Sequence, residues 1–342
     1  MKRQISLLLA LALVLSLCAC GKKEAAPVTA GEGQIIDGAG RILDIPEEPE
    51  KATIASVYAV SVPLITALRL NDRVLAINTK SKFWTEADAD LAKAGTVGRG
   101  KVDLEKLAEY APTVLIHRSN DKETVEAVEK LGIDVLCITV ENMDDYRTTL
   151  RMMGQYFGAE DRAEEVIAWM DAKFDLIAQK AAQIPEEEKV TALLMGGEPG
   201  RVSGSDMLQT WMIEQAGGIP VADQGKDHNW IDVGVETVFQ WNPEFLFCTS
   251  STGLEYSVEG LMSDSAWSAV EAIKRGNVFP MPTKLDSWDM PGLSCVLGTM
   301  YMMHKMYPAL FSAEELQTQA DEYYTFMFGR NFDAEYLGYS LE

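Results

Sequence analysis

Residues 102–116 read VDLEKLAEYAPTVLI, and residues 233–247 read VGVETVFQWNPEFLF. Aligning Glu105 with Glu236 brings Leu107 onto Val238, Tyr110 onto Trp241, Pro112 onto Pro243 and the run Thr113–Ile116 onto Glu244–Phe247, always 131 residues apart. Each copy is a short helical pattern, a proline that cannot continue it, and a strand-like apolar run. One helix-to-strand step is therefore used twice, once in each of two similar lobes.

Outward from each copy the same alternation continues. Before and after the first lie ATIASVYA (strand), PLITALRL (helix, with Pro63 near its start), RVLAIN (strand), KETVEAVEKLG (helix ending at Gly132) and IDVLCITV (strand). Around the second lie KVTALLMGG (strand), SDMLQTWMIEQAGG (helix), SAWSAVEAIKRG (helix) and NVFPMP (strand). Strands alternating with helices predict parallel βαβ units in a sheet covered on both faces. Ahead of them, GQIIDGAGRILDIPEEPEK reads as a β-hairpin turning at Asp-Gly-Ala-Gly. Between the lobes the pattern is helical from about Asp145 to Gln183, with Tyr146, Leu150, Met153 and Phe157 on one stripe and Ile167, Met170, Phe174 and Ile177 continuing it past Gly158.

The predicted fold class is α/β: two Rossmann-like lobes with parallel sheets, joined by a single long helix, with a ligand cleft between the lobes. The boundaries are 35–144 for the first lobe, 145–184 for the connecting helix and 185–342 for the second lobe with its C-terminal helices. The stretch Gly292–Phe328 reads as helical and is expected to pack back on the second lobe. In open parallel sheets the ligand edge lies beyond the carboxyl ends of the strands, so the cleft is expected along 58–62, 78–84, 117–120, 196–205, 249–253 and 282–291.

The first 19 residues are a leader: MKRQ is basic, ISLLLALALVLSL is apolar but short for a spanning helix, and LSLCACGKK follows. Cys20 has Leu17 at −3, Ala19 at −1 and Gly21 after it, the arrangement of a bacterial lipoprotein signal; Cys18 lacks it. A diacylglycerol on Cys20 then anchors the protein outside the cytoplasm without a transmembrane helix, and residues 20–34 are a flexible tether. The chain carries 30 Lys and Arg against 52 Asp and Glu, net −22, and loss of Lys2 and Arg3 with the leader brings it to −24. Such an acidic surface argues against nucleic acid and against broad contact with anionic lipid. Cys137, Cys248 and Cys295 are scattered and odd in number, which points to packing rather than disulfides or metal.

Taken in order, D-G-A-G-R, P-E-E-P-E-K-A-T-I-A-S, G-T-V-G-R-G before V-D-L-E-K-L, A-P-T-V-L-I, the helical connector, D-M-L-Q-T-W-M-I-E-Q-A-G-G and V-E-T-V-F-Q-W-N-P-E-F-L-F resemble the helix-linked (type III) substrate-binding proteins of ABC importers, the iron-chelate and cobalamin class. The resemblance runs from about Asp37 to Phe311. It implies capture rather than chemistry, with a monomer that works with an ABC permease dimer and its ATPase and holds no cofactor. It carries the family's permease-docking role onto Glu105 and Glu236; apart from it, each is an ordinary first-turn glutamate at a helix N-terminus. It implies an iron chelate such as a ferric siderophore, or else cobalamin, haem or an oxyanion such as molybdate or tungstate; a ligand-sensing lipoprotein is a further alternative.

Such ligands call for aromatic walls and a few cations. The wall candidates are Tyr58, Trp84, Trp230 and Trp288, with Asp289 beside the last; the charge candidates are Arg99, Arg118, Arg201 and Lys284. Trp84 is expected in a loop at a lip of the cleft, and Trp288 and Asp289 in a Pro-flanked loop facing it. His117 and His228 could face the cleft, while His304 falls in an apolar helix. Nothing gathers the His and carboxylate ligands a bare divalent metal needs. No G-x-S-x-G elbow or phosphate loop occurs, and Asp286 with Asp289 is a weak basis for an acid–base pair, so an enzyme is not expected. Replacing Cys20 with Ala is expected to move the protein from the membrane pellet to the soluble fraction and abolish labelling by radioactive fatty acid; unchanged pelleting refutes the anchor.

Overall fold

A computed structural model of the chain describes residues 29–78, 81–222, 229–250, 254–283 and 286–338. The leader, Cys20, His228 and Lys284 lie outside the described residues. The first lobe runs β1 (Gln34–Ile36), β2 (Ile42–Asp44), β3 (Ile54–Ser56), α1 (Ser61–Ala67), β4 (Val74–Ile77), α2 (Lys82–Ala87), β5 (Gly95–Thr96), α3 (Leu104–Tyr110), β6 (Val114–Arg118), α4 (Lys122–Glu129) and β7 (Asp134–Ile138). Two helices follow, α5 (Met143–Phe157) and α6 (Glu160–Ala181). The second lobe runs β8 (Thr191–Met195), β9 (Arg201–Ser203), α7 (Leu208–Gln215), β10 (Ile219–Pro220), β11 (Trp230–Asp232), α8 (Val235–Trp241), β12 (Phe245–Cys248), α9 (Val258–Ser263), α10 (Glu271–Arg275), β13 (Val278–Pro280), α11 (Cys295–Met306), α12 (Ala313–Phe328) and α13 (Ala334–Leu337).

The first sheet has the order β5-β4-β3-β6-β7, all parallel, with β1 and β2 a separate hairpin. In the second, β8, β12 and β13 are parallel, β10 pairs with β8, and an antiparallel ribbon of β9 and β11 extends past the end of β8. The repeat holds in detail. β6 lies beside β3 with Ile54 opposite Val114, and β12 beside β8 with Ala192 opposite Phe245, so Val114 and Phe245 keep their equivalence. Even the helix ends agree, because Ala111 (φ 45°) and Asn242 (φ 46°) both close α3 and α8 in the left-handed region. At the starts of the paired strands, Thr53 and Thr113 are cross-linked through their hydroxyls and backbone, and Thr191 and Glu244 in the same place.

Alternation along the strands divides the core. Ala55, Leu115 and Cys137 face α3 and α4 on the outside of the first sheet, and Leu193, Leu246 and Cys248 face the outside of the second. Ile54, Val114 and Ile116 of the first sheet, and Ala192, Leu194 and Phe247 of the second, join one continuous apolar core that also takes in α5, α6, α11 and α12. Cys137, Cys248 and Cys295 are buried free thiols, and burial pushes them up to about 12, 11 and 12. They pack rather than react.

The helical stretch between the lobes is two helices. Asn142 caps α5 by accepting from the Asp144 and Asp145 amides at 2.9 Å each, and Gly158 at φ 65° ends it. The chain then folds back, so that Arg147 pairs with Asp171 and Arg151 with Glu164 across the turn, both at 2.6 Å. The connector proper is α6, 22 residues long and so about 33 Å.

The C-terminal stretch does not pack on the second lobe alone, as its apolar pattern suggested; it crosses to the first. Phe328 lies 5.8 Å from Phe83 and 5.5 Å from Trp84 of α2, and Phe332 lies 5.7 Å from Phe83. Arg330 donates to the Ala87 carbonyl at the end of α2 (2.9 Å). Arg162 of α6, buried, donates to the Ala67 carbonyl at the end of α1 (2.7 Å) and the Phe326 carbonyl near the end of α12 (3.3 Å), stacks 4.2 Å over the Phe326 ring, and pairs with Glu165 (2.8 Å). Unsatisfied carbonyls at helix ends favour a cation. Replacing Arg162 with Ala removes two charge-assisted bonds and the stacked stem, and is expected to cost about 3 kcal/mol in urea unfolding; a loss below about 1 kcal/mol would show that the junction is dispensable.

Candidate functional site

Both sheets change winding direction at one place. In the first the chain goes from β3 outward through β4 and β5 and returns to β6; in the second it goes from β8 to β9 and β10 and returns to β12. A crevice opens at the carboxyl ends of the strands at such a switch point. From the first lobe this selects the loop after β3, which carries Tyr58, and the end of β6, which is Arg118. From the second it selects the turn after β8, the β9 and β11 ribbon with Arg201 and Trp230, and Thr249 and Ser250 after β12.

Tyr58 is partly buried. Burial first, and the Glu141 carboxylate second, push its phenol above the usual range, against the pull of Arg118. Tyr58, Arg118 and Glu141 thus form one electrostatic group, in which Glu141 is a residue the sequence reading missed. It could have been found, because it follows the IDVLCITV strand directly. Its backbone is held in turn, with the Ser61 hydroxyl donating to the Tyr58 carbonyl at 2.7 Å and the Ser56 hydroxyl accepting from the Tyr58 amide at 3.1 Å.

The Arg118 side chain is 48% exposed and its Nη2 reaches Asp121 at 3.4 Å. Asp121 caps α4 through the Thr124 amide and hydroxyl and also meets His117 Nε2 at 3.0 Å. That contact with His117 comes first in holding its carboxyl well below the usual range. His117 itself is buried, which lowers its pKa, so it faces α4 rather than an open cleft. Arg118 and Asp121 stand on the wall of a cavity of about 600 Å3 between Gly100–Leu104 and the start of α4. Arg99 is exposed and makes no ion pair among the described residues, but it follows the edge strand β5, two strands from the switch point.

On the second lobe Arg201 lies opposite Asp232 in the β9 and β11 ribbon and reaches it at 3.5 Å. Trp230 lies against the turn after β8, where a Cβ on Gly196 would stand 3.0 Å from its ring, so a side chain there would press on the indole. Trp230 is half-buried, on the ribbon that extends past the end of β8.

Three expected wall residues are elsewhere. Trp84 is 7% exposed and belongs to α2, where its ring packs on Phe328; its loop reading failed because the C-terminal segment that covers it is 244 residues away in sequence. Trp288 is 0% exposed, its Nε1 donating to the Tyr324 hydroxyl at 3.1 Å. Asp289 is 0% exposed and accepts from the Thr249 hydroxyl and from the Ser250 hydroxyl at 2.8 Å. Neither is an open-cleft contact: Asp289 supports the loop after β12, and Trp288 is anchored to α12. The neighbouring Asp286 accepts from Tyr323 at 3.0 Å. His304 is buried, with Nδ1 at the Phe311 carbonyl (2.9 Å).

Glu105 and Glu236 are both exposed in the first turns of the equivalent helices α3 and α8, and neither makes an ion pair among the described residues. Leu104 beside the first and Phe239 one turn after the second are exposed apolar side chains. No three His, Cys, Asp or Glu side chains gather as a metal site among the described residues, and no helix among them is long and apolar enough to cross a membrane.

The pattern defining the periplasmic binding proteins matches residues 54–285. The chain belongs to that family. It is 26% identical over 298 residues, 85% of this chain and 88% of the other, to an uncharacterized ABC transporter substrate-binding lipoprotein of Bacillus subtilis. It is 22% identical over 236 residues, 66% of each chain, to a molybdate-binding protein of Haemophilus influenzae. A molybdate-bound structure of the Haemophilus protein superposes with a TM-score of 0.74 at 18% identity, covering 88% of this chain and 99% of that one. The nickel–histidine complex of the Helicobacter pylori protein CeuE does so at 0.71 and 18%, covering 90% and 99%. These likenesses bear out the two-lobed α/β fold.

The buried Asp286 carboxyl yields a pH prediction. Burial pushes it up to about 7, against the hydrogen bond from Tyr323. The folded state therefore holds this proton more tightly than the unfolded chain, and the contribution is full below about pH 4 and lost as pH rises to about 7. At 1.36 kcal/mol per pH unit the span is at most about 4 kcal/mol. Asp286→Asn is expected to stabilise the protein at pH 8 and leave it nearly unchanged at pH 4.5, by urea unfolding at both; equal effects at the two pH values would refute the assignment.

Proposed function

We propose that this protein is a lipid-anchored extracytoplasmic receptor that captures a metal chelate and delivers it to an ABC permease dimer. The observation that carries the delivery step is the matched pair Glu105 and Glu236. Two lobes related by an internal repeat present the same carboxylate on the same turn of the same helix, as a partner with two equivalent basic sockets requires. The B. subtilis relative, named as an ABC transporter substrate-binding lipoprotein, supports the same reading, as does the Leu17-x-Ala19-Cys20 signal.

For the ligand, an aromatic side chain and an arginine from each lobe, Tyr58 and Arg118 from the first and Trp230 and Arg201 from the second, suit a chelate with an apolar or aromatic shell and anionic edges, such as a ferric siderophore. A second reading, an oxyanion, is favoured by the molybdate-binding relative, met in both sequence and structure. Capture proceeds by small closure of the lobes around the ligand, because α6 and the shared core restrict the hinge; no covalent step is involved.

The double variant Glu105→Ala, Glu236→Ala is expected to lower uptake into cells by at least about tenfold while the affinity of the purified protein stays within about twofold, since rim charges act on association rather than on the distant ligand. Undiminished uptake would remove the docking role.

A further inference from the structure

The two arginines beside the switch points share a feature that the receptor reading does not require. Each stands next to a carboxylate, and by a different route. Arg118 and Asp121 are brought together by the turn from β6 into α4, at 3.4 Å; Arg201 and Asp232 are brought together by strand register between β9 and β11, at 3.5 Å. Both contacts are long and made through one nitrogen. A guanidinium has five N–H donors in a planar fork, so most of each fork remains available. The Asp121 carboxylate is fixed independently of Arg118 by Thr124 and His117. Glu141 adds a third carboxylate in the group with Tyr58 and Arg118.

Resting on the reading of this cleft as a ligand site, we propose that Asp121 and Asp232 are specificity-determining residues, which offer the cleft arginines only to a ligand that brings hydrogen-bond donors as well as acceptors. A fully charged oxyanion approaching Arg118 is repelled by Asp121, whose carboxylate stands 3.4 Å from the same guanidinium, and the repulsion offsets part of the attraction. A ligand whose oxygens accept from the arginine while its amide N–H or hydroxyl groups donate to the carboxylate gains from both. Exclusion by a misplaced like charge is a common device of selective sites, and this one is built twice, once in each lobe. An organic chelate with amide or hydroxyl arms satisfies it; molybdate does not.

The test is a tryptophan-fluorescence titration of the mature chain, Asp121→Asn and Asp232→Asn, each with ferrichrome (a neutral ferric trihydroxamate), cyanocobalamin and molybdate at fixed ionic strength. Asparagine keeps a capping oxygen for α4, and Asp232 lies on an exposed edge strand, so both variants are expected to fold, as checked by their melting temperatures. The wild type is expected to bind one of the organic complexes at least about a hundredfold more tightly than molybdate, and each variant to narrow that ratio at least about tenfold by gaining molybdate affinity, the size expected for deleting a like charge at contact distance. A ratio unchanged within about twofold in both variants, or a wild type that prefers molybdate, overturns the proposal and leaves the receptor standing. Binding of none of the three by any of the proteins overturns the receptor reading for these ligands, and the proposal with it.

Discussion

A charged guanidinium buried where three helices meet is the constraint on which the arrangement of the lobes depends. Arg162 loses most of its hydration, and burial first, with the nearby Arg69 second, lowers its pKa. The loss is offset because its donors meet the ends of α1 and α12, where backbone carbonyls point outward without partners, while Glu165 balances the charge. That match ties the first lobe, the connector and the C-terminal helix into one body. Once α12 is held there, its neighbouring side chains fall on both sides of the cleft. Tyr323 and Tyr324 hold Asp286 and Trp288 of the second lobe, and Phe328, with Phe332 and Arg330 beyond it, holds α2 of the first. One helix thus braces the loops leading into the site from either lobe, which favours small closing motions over wide ones.

Burial sorts the candidate residues into two groups. Trp84, Trp288 and Asp289 are large or charged and lie near strand ends, yet each is enclosed and satisfied by distant partners. Of the three, Asp289 holds Ser250 through its hydroxyl. Tyr58, Arg118, Arg201 and Trp230 keep surface because they end strands or sit in the ribbon beyond β8, where no further layer covers them. The C-terminal helix covers Trp84 and Trp288, whereas Asp289 is enclosed by Thr249, Ser250 and Gln209. The family to which the chain belongs explains the frame; within it, each lobe's arginine is paired with a carboxylate, Arg118 with Asp121 and Arg201 with Asp232, in a chain of net charge −22.

Much of the fold was legible because its signals are local. The helix-to-strand step around Glu105 and Glu236, the apolar strands and the prolines and glycines between them depend on residues within a dozen positions of one another. The exposed first-turn glutamates were legible for the same reason. The break at Gly158 was visible as an interruption, but the folding back of α5 on α6 depends on Arg147–Asp171 and Arg151–Glu164, contacts that periodicity does not encode. The direction of the C-terminal helix was misread because an apolar stripe states that a face is buried and is silent about what covers it. Trp84 was misplaced with it, since its partner Phe328 is remote in the chain.

By itself the amino-acid sequence determined the two-lobed α/β pattern, its internal repeat and the acidic charge, all of which follow from short-range periodicity and composition. Only the tertiary structure decided that Trp288 and Asp289 are interior, that Arg118 is shared with Asp121 and Arg201 with Asp232, and that α12 braces both lobes. The physical reason is that burial and charge pairing are sums over neighbours in space, and those neighbours come from strands, turns and helices whose contacts are settled only when the layers pack.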